Sequence, residues 1–128
     1  MDAPDIPERV LRFIADKIDT VPELETLLLL WQDPNKRWDA AEVAARVYVP
    51  RETASLILRS LYKRQLATQD SQSAAYSYST DWDASGALMA EVATVYRRHL
   101  VQVSTFIHSR ASRSVRDFAS AFDLKRER

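Results

Sequence analysis

The sequence predicts a mainly α protein carrying one small β-hairpin, and three observations lead there. A single glycine in 128 residues, with abundant Ala, Leu, Arg and Glu, favours helix over glycine-rich loops. Apolar residues recur at helical spacing through most of the chain. One stretch, Ala67 to Ser79, instead alternates Tyr76 and Tyr78 with Ser77 and Ser79 across a polar tip, which is hairpin patterning.

The first helix is expected from Asp5 to about Asp19, where Ile6, Val10, Phe13, Ile14 and Ile18 fall on one face. Thr20 and Glu23 then stand at capping-box spacing before a second helix. Its stripe is Leu24, Leu27, Leu28 and Trp31, widened by Leu29 and Leu30, so burial on more than one side is expected. Asp33-Pro34-Asn35 closes it with turn residues. Arg37-Trp38 reads as a short extended segment whose tryptophan plugs a core.

Asp39 and Glu42 form another D-x-x-E cap, opening a helix with Ala40, Val43 and Val47 on its apolar side. Pro50 disfavours helix in the residue before it and suits the start of the next one, so Tyr48-Val49-Pro50 is a tight turn. The following helix places Ala54, Ile57, Leu58 and Leu61 on one stripe and is expected to turn Arg51, Ser55, Arg59 and Lys63 away from it. The hairpin follows, with Tyr76 and Tyr78 packed inward, the serines facing water, and Ser71-Gln72-Ser73 at the tip.

Asp81 and Asp83 are read as caps for a long helix from about Ala84 to Ser109, roughly 39 Å at the standard rise. Met89, Val92, Tyr96, Leu100, Val103 and Ile107 form its stripe, with Leu88, Val95 and Phe106 beside it. So much apolar surface needs a partner helix, either the first helix of the same chain or a second copy of the long helix, and a homodimer using both is expected. A short tail helix restarts at Ser114, with Asp117 as capping partner and Phe118 and Phe122 on one face. Around it lies the basic cluster Arg110, Arg113, Arg116, Lys125, Arg126 and Arg128.

The expected organisation is therefore an N-terminal helix over 1–20, a helix-turn-helix with hairpin over 21–80, and C-terminal helices over 81–128, together forming one compact unit. Net charge is zero, yet it is unevenly spread. Residues 1–34 carry three basic and eight acidic side chains, residues 97–128 eight and three, and residues 39–66 five and three. Local potential governs phosphate attraction, so a neutral chain can bind nucleic acid through one basic face.

Cysteine is absent, which excludes disulfides, thiolate metal sites and cysteine nucleophiles. No segment approaches the ~18 apolar residues of a membrane span, and the acidic start lacks the pattern of a secretory signal. A cytoplasmic protein is expected. His99 and His108 are nine apart, off the spacing that aligns two metal ligands on a helix. No nucleophile has a recognisable setting, so neither an enzymatic role nor a metal or cofactor is expected. Trp31, Trp82 and Tyr96 could border a gap for an apolar effector, though such aromatics more often simply pack.

Helix, turn, helix and hairpin over Asp39–Tyr78, between a leading helix and a long trailing one, make a winged helix-turn-helix. This order resembles bacterial regulators of the MarR/PadR type, with Val49 to Leu66 looking like their recognition helix and its exit. Four positions depart from their pattern. Val49 replaces a Ser or Thr cap, Gln65 a glycine, and Leu56 a polar residue, while the wing tip has no basic side chain.

The resemblance implies a homodimeric transcriptional regulator of double-stranded DNA. Arg51, Ser55 and Arg59 would approach base edges, Arg46 and Lys63 would hold phosphates, and Ser71 and Gln72 would touch the backbone from the wing. The alternative is a winged-helix module that binds protein through its C-terminal helices.

Overall fold

The computed structural model describes residues 6–109. In chain order they form α1 (Glu8–Lys17), α2 (Val21–Gln32), α3 (Ala40–Val47), α4 (Arg51–Lys63), β1 (Ala67–Gln69), β2 (Tyr76–Tyr78) and α5 (Ala87–Arg98), with helix resuming over residues 100–109. The result is mainly helical with one two-stranded antiparallel sheet. The expected tail helix at Ser114 to Phe122 and the basic cluster from Arg110 to Arg128 lie outside the described residues. Two compact units divide the chain, one spanning Pro22–Thr94 and the other joining the segments before and after it. Among the described residues, no helix is long and apolar enough to cross a membrane.

Helix α1 is shorter than its apolar pattern, because Pro7 occupies the N-cap and Ile18 is already extended. Val10, Phe13, Ile14 and Ile18 are all buried. Helix α2 buries every residue from Leu24 to Leu30 except half-buried Glu25, in keeping with its broad stripe. Thr26 tolerates this by donating its hydroxyl to the Pro22 carbonyl at 2.8 Å.

The local signals of the 39–66 stretch are realised atom by atom. Glu42 N–H donates to Asp39 Oδ1 at 2.8 Å and Asp39 N–H to Glu42 Oε1 at 3.1 Å, closing the capping box that starts α3. Tyr48 then ends the helix in the left-handed region at φ 61°. Pro50, at φ −61°, is the N-cap of α4. Ala54, Ile57, Leu58 and Leu61 are buried, so the apolar stripe is anchored.

The exit of α4 explains Gln65. Gln65 sits at φ 66°, its N–H donates to the Tyr62 carbonyl at 3.0 Å, and Leu66 N–H reaches back to the Leu61 carbonyl at 2.9 Å. This is a Schellman closure, with Leu61 and Leu66 both buried beneath it. Glycine takes that conformation without steric cost. Gln65 is exposed, so its side chain contributes little burial. Gln65→Gly should therefore stabilise by about 0.5–1 kcal/mol, relief of left-handed strain outweighing the added freedom of the unfolded chain. A rise of a few degrees in thermal midpoint checks it.

The hairpin pairs Ala67 with Tyr78, Thr68 with Ser77 and Gln69 with Tyr76. Trp38 adds an antiparallel bridge to Tyr76, donating N–H to its carbonyl at 2.7 Å and accepting from its N–H at 2.8 Å. Tyr78 is buried and Tyr76 half-buried, but the serines do not both face water. Ser77 Oγ donates to the Lys36 carbonyl at 3.0 Å, and Ser79 is buried because the strand's alternation stops at Tyr78.

Two corrections concern the expected long helix. It starts at Ala87, not Ala84, since residues 83–86 form a capping turn. There Asp83 Oδ2 accepts from Met89 N–H at 2.9 Å, Ser85 Oγ from Ala87 N–H at 3.2 Å, and Gly86 takes φ 73°. The helix is also interrupted at His99, although the Val95 carbonyl accepts from His99 N–H and the His99 carbonyl from Val103 N–H. Neither proline nor glycine marks that bend, and nothing in the local contacts explains it.

The residues of the expected dimer seam are largely covered in the single chain. Met89, Val92, Val103 and Ile107 are fully buried within the chain itself and Tyr96 is half-buried. The large apolar residues that remain exposed on this segment are Leu100, at 50%, and its neighbour Val101, at 71%.

Candidate nucleic-acid interface

The outward face of α4 follows from its anchored side. With Ala54, Ile57, Leu58 and Leu61 buried, the opposite stripe at helical spacing is Glu52, Leu56, Arg59 and Lys63, and all four are exposed. Arg51 is exposed as well, at the first position of the helix. Ser55 is half-buried at the margin of the stripe. Arg59 and Lys63 thus share the outward stripe with Glu52 and Leu56, and Ser55 and Arg51 stand to one side of it.

Turn and helix present further apolar surface here. Tyr48 is 91% exposed in its left-handed turn and Leu56 is 60% exposed. Tyr62, also exposed, meets Tyr76 edge-on with ring centroids 6.2 Å apart.

Arg46 lies on α3 and is exposed, with its guanidinium 5.7 Å from the centre of the Trp38 ring. Lys36 Nζ is 4.7 Å from the same ring and 3.2 Å from Glu42 Oε2. Trp38 is only 3% exposed, and the expected core plug also carries two cations over its ring. Lys36 stands only two residues before Trp38, but a tryptophan read as core gives no signal for a cation over its ring.

A second ion pair fixes the far end of α4. Arg64 Nη1 donates to Glu23 Oε1 at 3.2 Å, with both side chains largely covered. The contact joins α2 to the α4 exit across 41 residues of sequence, a separation no local pattern reports.

Ser71 and Gln72 are exposed at the hairpin tip. The tip is built on Asp70, whose Oδ2 accepts from Ser73 N–H at 2.8 Å, Ser73 Oγ at 2.8 Å and Gln72 N–H at 3.2 Å. Ala74 closes the loop at φ 62°. The hydrogen bonds from Ser73, helped by the charge of Arg37, hold the Asp70 carboxyl below its ordinary value of 3.8. Since the carboxylate is the form that closes the turn, its contribution is complete above that ordinary value and fades as pH falls through the lowered one. The tip thus offers phosphate a negative charge rather than a positive one.

Behind the hairpin, Tyr78 is buried against Trp82, ring centroids 6.2 Å apart, and its hydroxyl has no hydrogen-bond partner among the described residues. Burial, then the charge of Asp83, pushes its pKa up, so it stays neutral. Trp82 also borders an open groove of about 700 Å³ with Tyr62, Lys63, Gln65, Thr68 and Asp81. Among the described residues, no group of three or more His, Cys, Asp or Glu side chains could hold a metal ion.

Comparison with family models, with curated proteins and with solved structures finds no match to this chain.

Proposed function

We propose that the chain is a winged helix-turn-helix transcriptional regulator of the MarR/PadR type that reads double-stranded DNA with α4 and acts as a homodimer in the bacterial cytoplasm. The observation that carries this reading is the free outward face of α4, with Arg51, Arg59 and Lys63 exposed while its opposite stripe is anchored. A rod about 20 Å long, presenting guanidinium groups on one side, suits a major groove about 12 Å wide. Arg59 and Arg51 would take guanine edges, Lys63 phosphate, and Arg46 a phosphate beside the Trp38 ring. The acidic hairpin tip limits Ser71 and Gln72 to hydrogen bonding. For the homodimer, Leu100 and Val101 are the exposed apolar residues a second copy would cover.

A second reading, a protein-binding module of the same fold, is favoured by exposed Tyr48 and by the negative tip. Salt separates them. Duplex binding through three or four phosphate contacts should fall with a log–log slope of about −3 to −4 as salt rises. A titration of fluorescent genomic fragments between low and physiological salt should give that slope. No duplex affinity at low salt would favour the protein-binding reading.

A further inference from the structure

We infer that Leu56 is a specificity residue that recognises the 5-methyl group of a thymine; this rests on the DNA-reading assignment of α4. Leu56 stands within the exposed stripe, between Glu52 and Arg59 along the helix, and is 60% exposed. An isolated exposed leucine needs no explanation on an ordinary surface. This one lies among the side chains whose charge draws the helix toward phosphate, with Arg51, Arg59 and Lys63 around it and Glu52 as the one acid on the stripe.

The floor of the major groove offers hydrogen-bonding edges and one apolar feature, the thymine methyl. A leucine can use only the latter. The same contact excludes the other bases, because leucine set against a cytosine amino group or a guanine carbonyl would desolvate them without a partner.

Spacing narrows the target. Leu56 and Arg59 are three residues apart on one helix, so their Cβ atoms are about 5–6 Å apart. Base pairs rise about 3.4 Å. The thymine read by Leu56 therefore lies within two base pairs of the guanine taken by Arg59. Glu52, one turn to the other side, faces the next position and can accept from a cytosine amino group.

The test uses the full chain and a random duplex pool, from which bound sequences are enriched. Each thymine of the enriched duplex is then replaced singly by deoxyuridine, which removes the methyl group and leaves pairing intact. One replacement, within two base pairs of a guanine whose loss Arg59→Ala no longer senses, should weaken the wild-type protein about fourfold, the value of one buried methyl. Leu56→Ala, whose thermal midpoint should match wild type, should be indifferent to that same replacement. Enrichment of a duplex on which both proteins respond alike to every deoxyuridine overturns the inference while DNA reading stands. Failure to enrich any duplex overturns both.

Discussion

Reversing Arg51 and Arg59 together, as Arg51→Glu/Arg59→Glu, should lower affinity for duplex DNA by at least about 100-fold and leave the fold intact. Each bidentate arginine–guanine contact is worth about 1–3 kcal/mol, and the replacements add repulsion from phosphate to that loss. Both side chains are exposed, which keeps the stability effect within about 0.5 kcal/mol each. At the first position of α4 an acid even complements the helix dipole. Lys63→Glu should cost less and act evenly across sequences, as a phosphate contact does. Binding curves and thermal melts on the same preparations check both halves. Duplex affinity that survives the double reversal would remove α4 as the reading element.

The largest stability effect is expected at Trp38. Its indole is 3% exposed, its backbone makes both hydrogen bonds to Tyr76, and Lys36 and Arg46 lie over its ring. Truncation leaves a cavity in addition to the lost transfer energy, so Trp38→Ala should cost about 3–5 kcal/mol. That is a large fraction of the about 5–15 kcal/mol that holds a domain folded. Trp38→Phe should cost far less, because the indole N–H has no hydrogen-bond partner among the described residues and most of the ring volume remains. Denaturant unfolding with an unchanged m-value measures both. A Trp38→Ala loss below about 1 kcal/mol would mean that the ring is not a core element.

These two sites show what the sequence could and could not convey. The α3 cap, the Pro50 turn and the α4 stripe were readable because each depends on residues within four positions of one another. The hairpin was readable from tyrosine alternation, and Trp38 from its position just before the Asp39 cap. Arg46 over its ring was not, since α3 brings it back across eight residues, and Lys36, though two residues away, is unmarked when the tryptophan is read only as core. The same holds for Arg64 and Glu23, far apart in sequence and paired in the fold.

Met89 to Ile107 teaches a different lesson. Periodicity correctly marked an apolar face, but a stripe says that a surface is covered without saying by which chain. Here Met89, Val92, Val103 and Ile107 are buried within the chain, while Leu100 and Val101 stand exposed. The interruption at His99 had no proline or glycine to announce it. On α4, Leu56 was legible as an apolar departure, and its 60% exposure places it on the outward stripe with Glu52.

The proposed function requires the outward stripe of α4 to touch duplex DNA. Nuclear magnetic resonance titration of the isotope-labelled full chain with a short enriched duplex at low salt tests it most directly. Amide and side-chain shifts should concentrate at Arg51, Glu52, Leu56, Arg59 and Lys63, with smaller changes at Arg46 and Gln72. Shifts confined to Leu100 and Val101, or spread evenly over the surface while α4 stays silent, would contradict it.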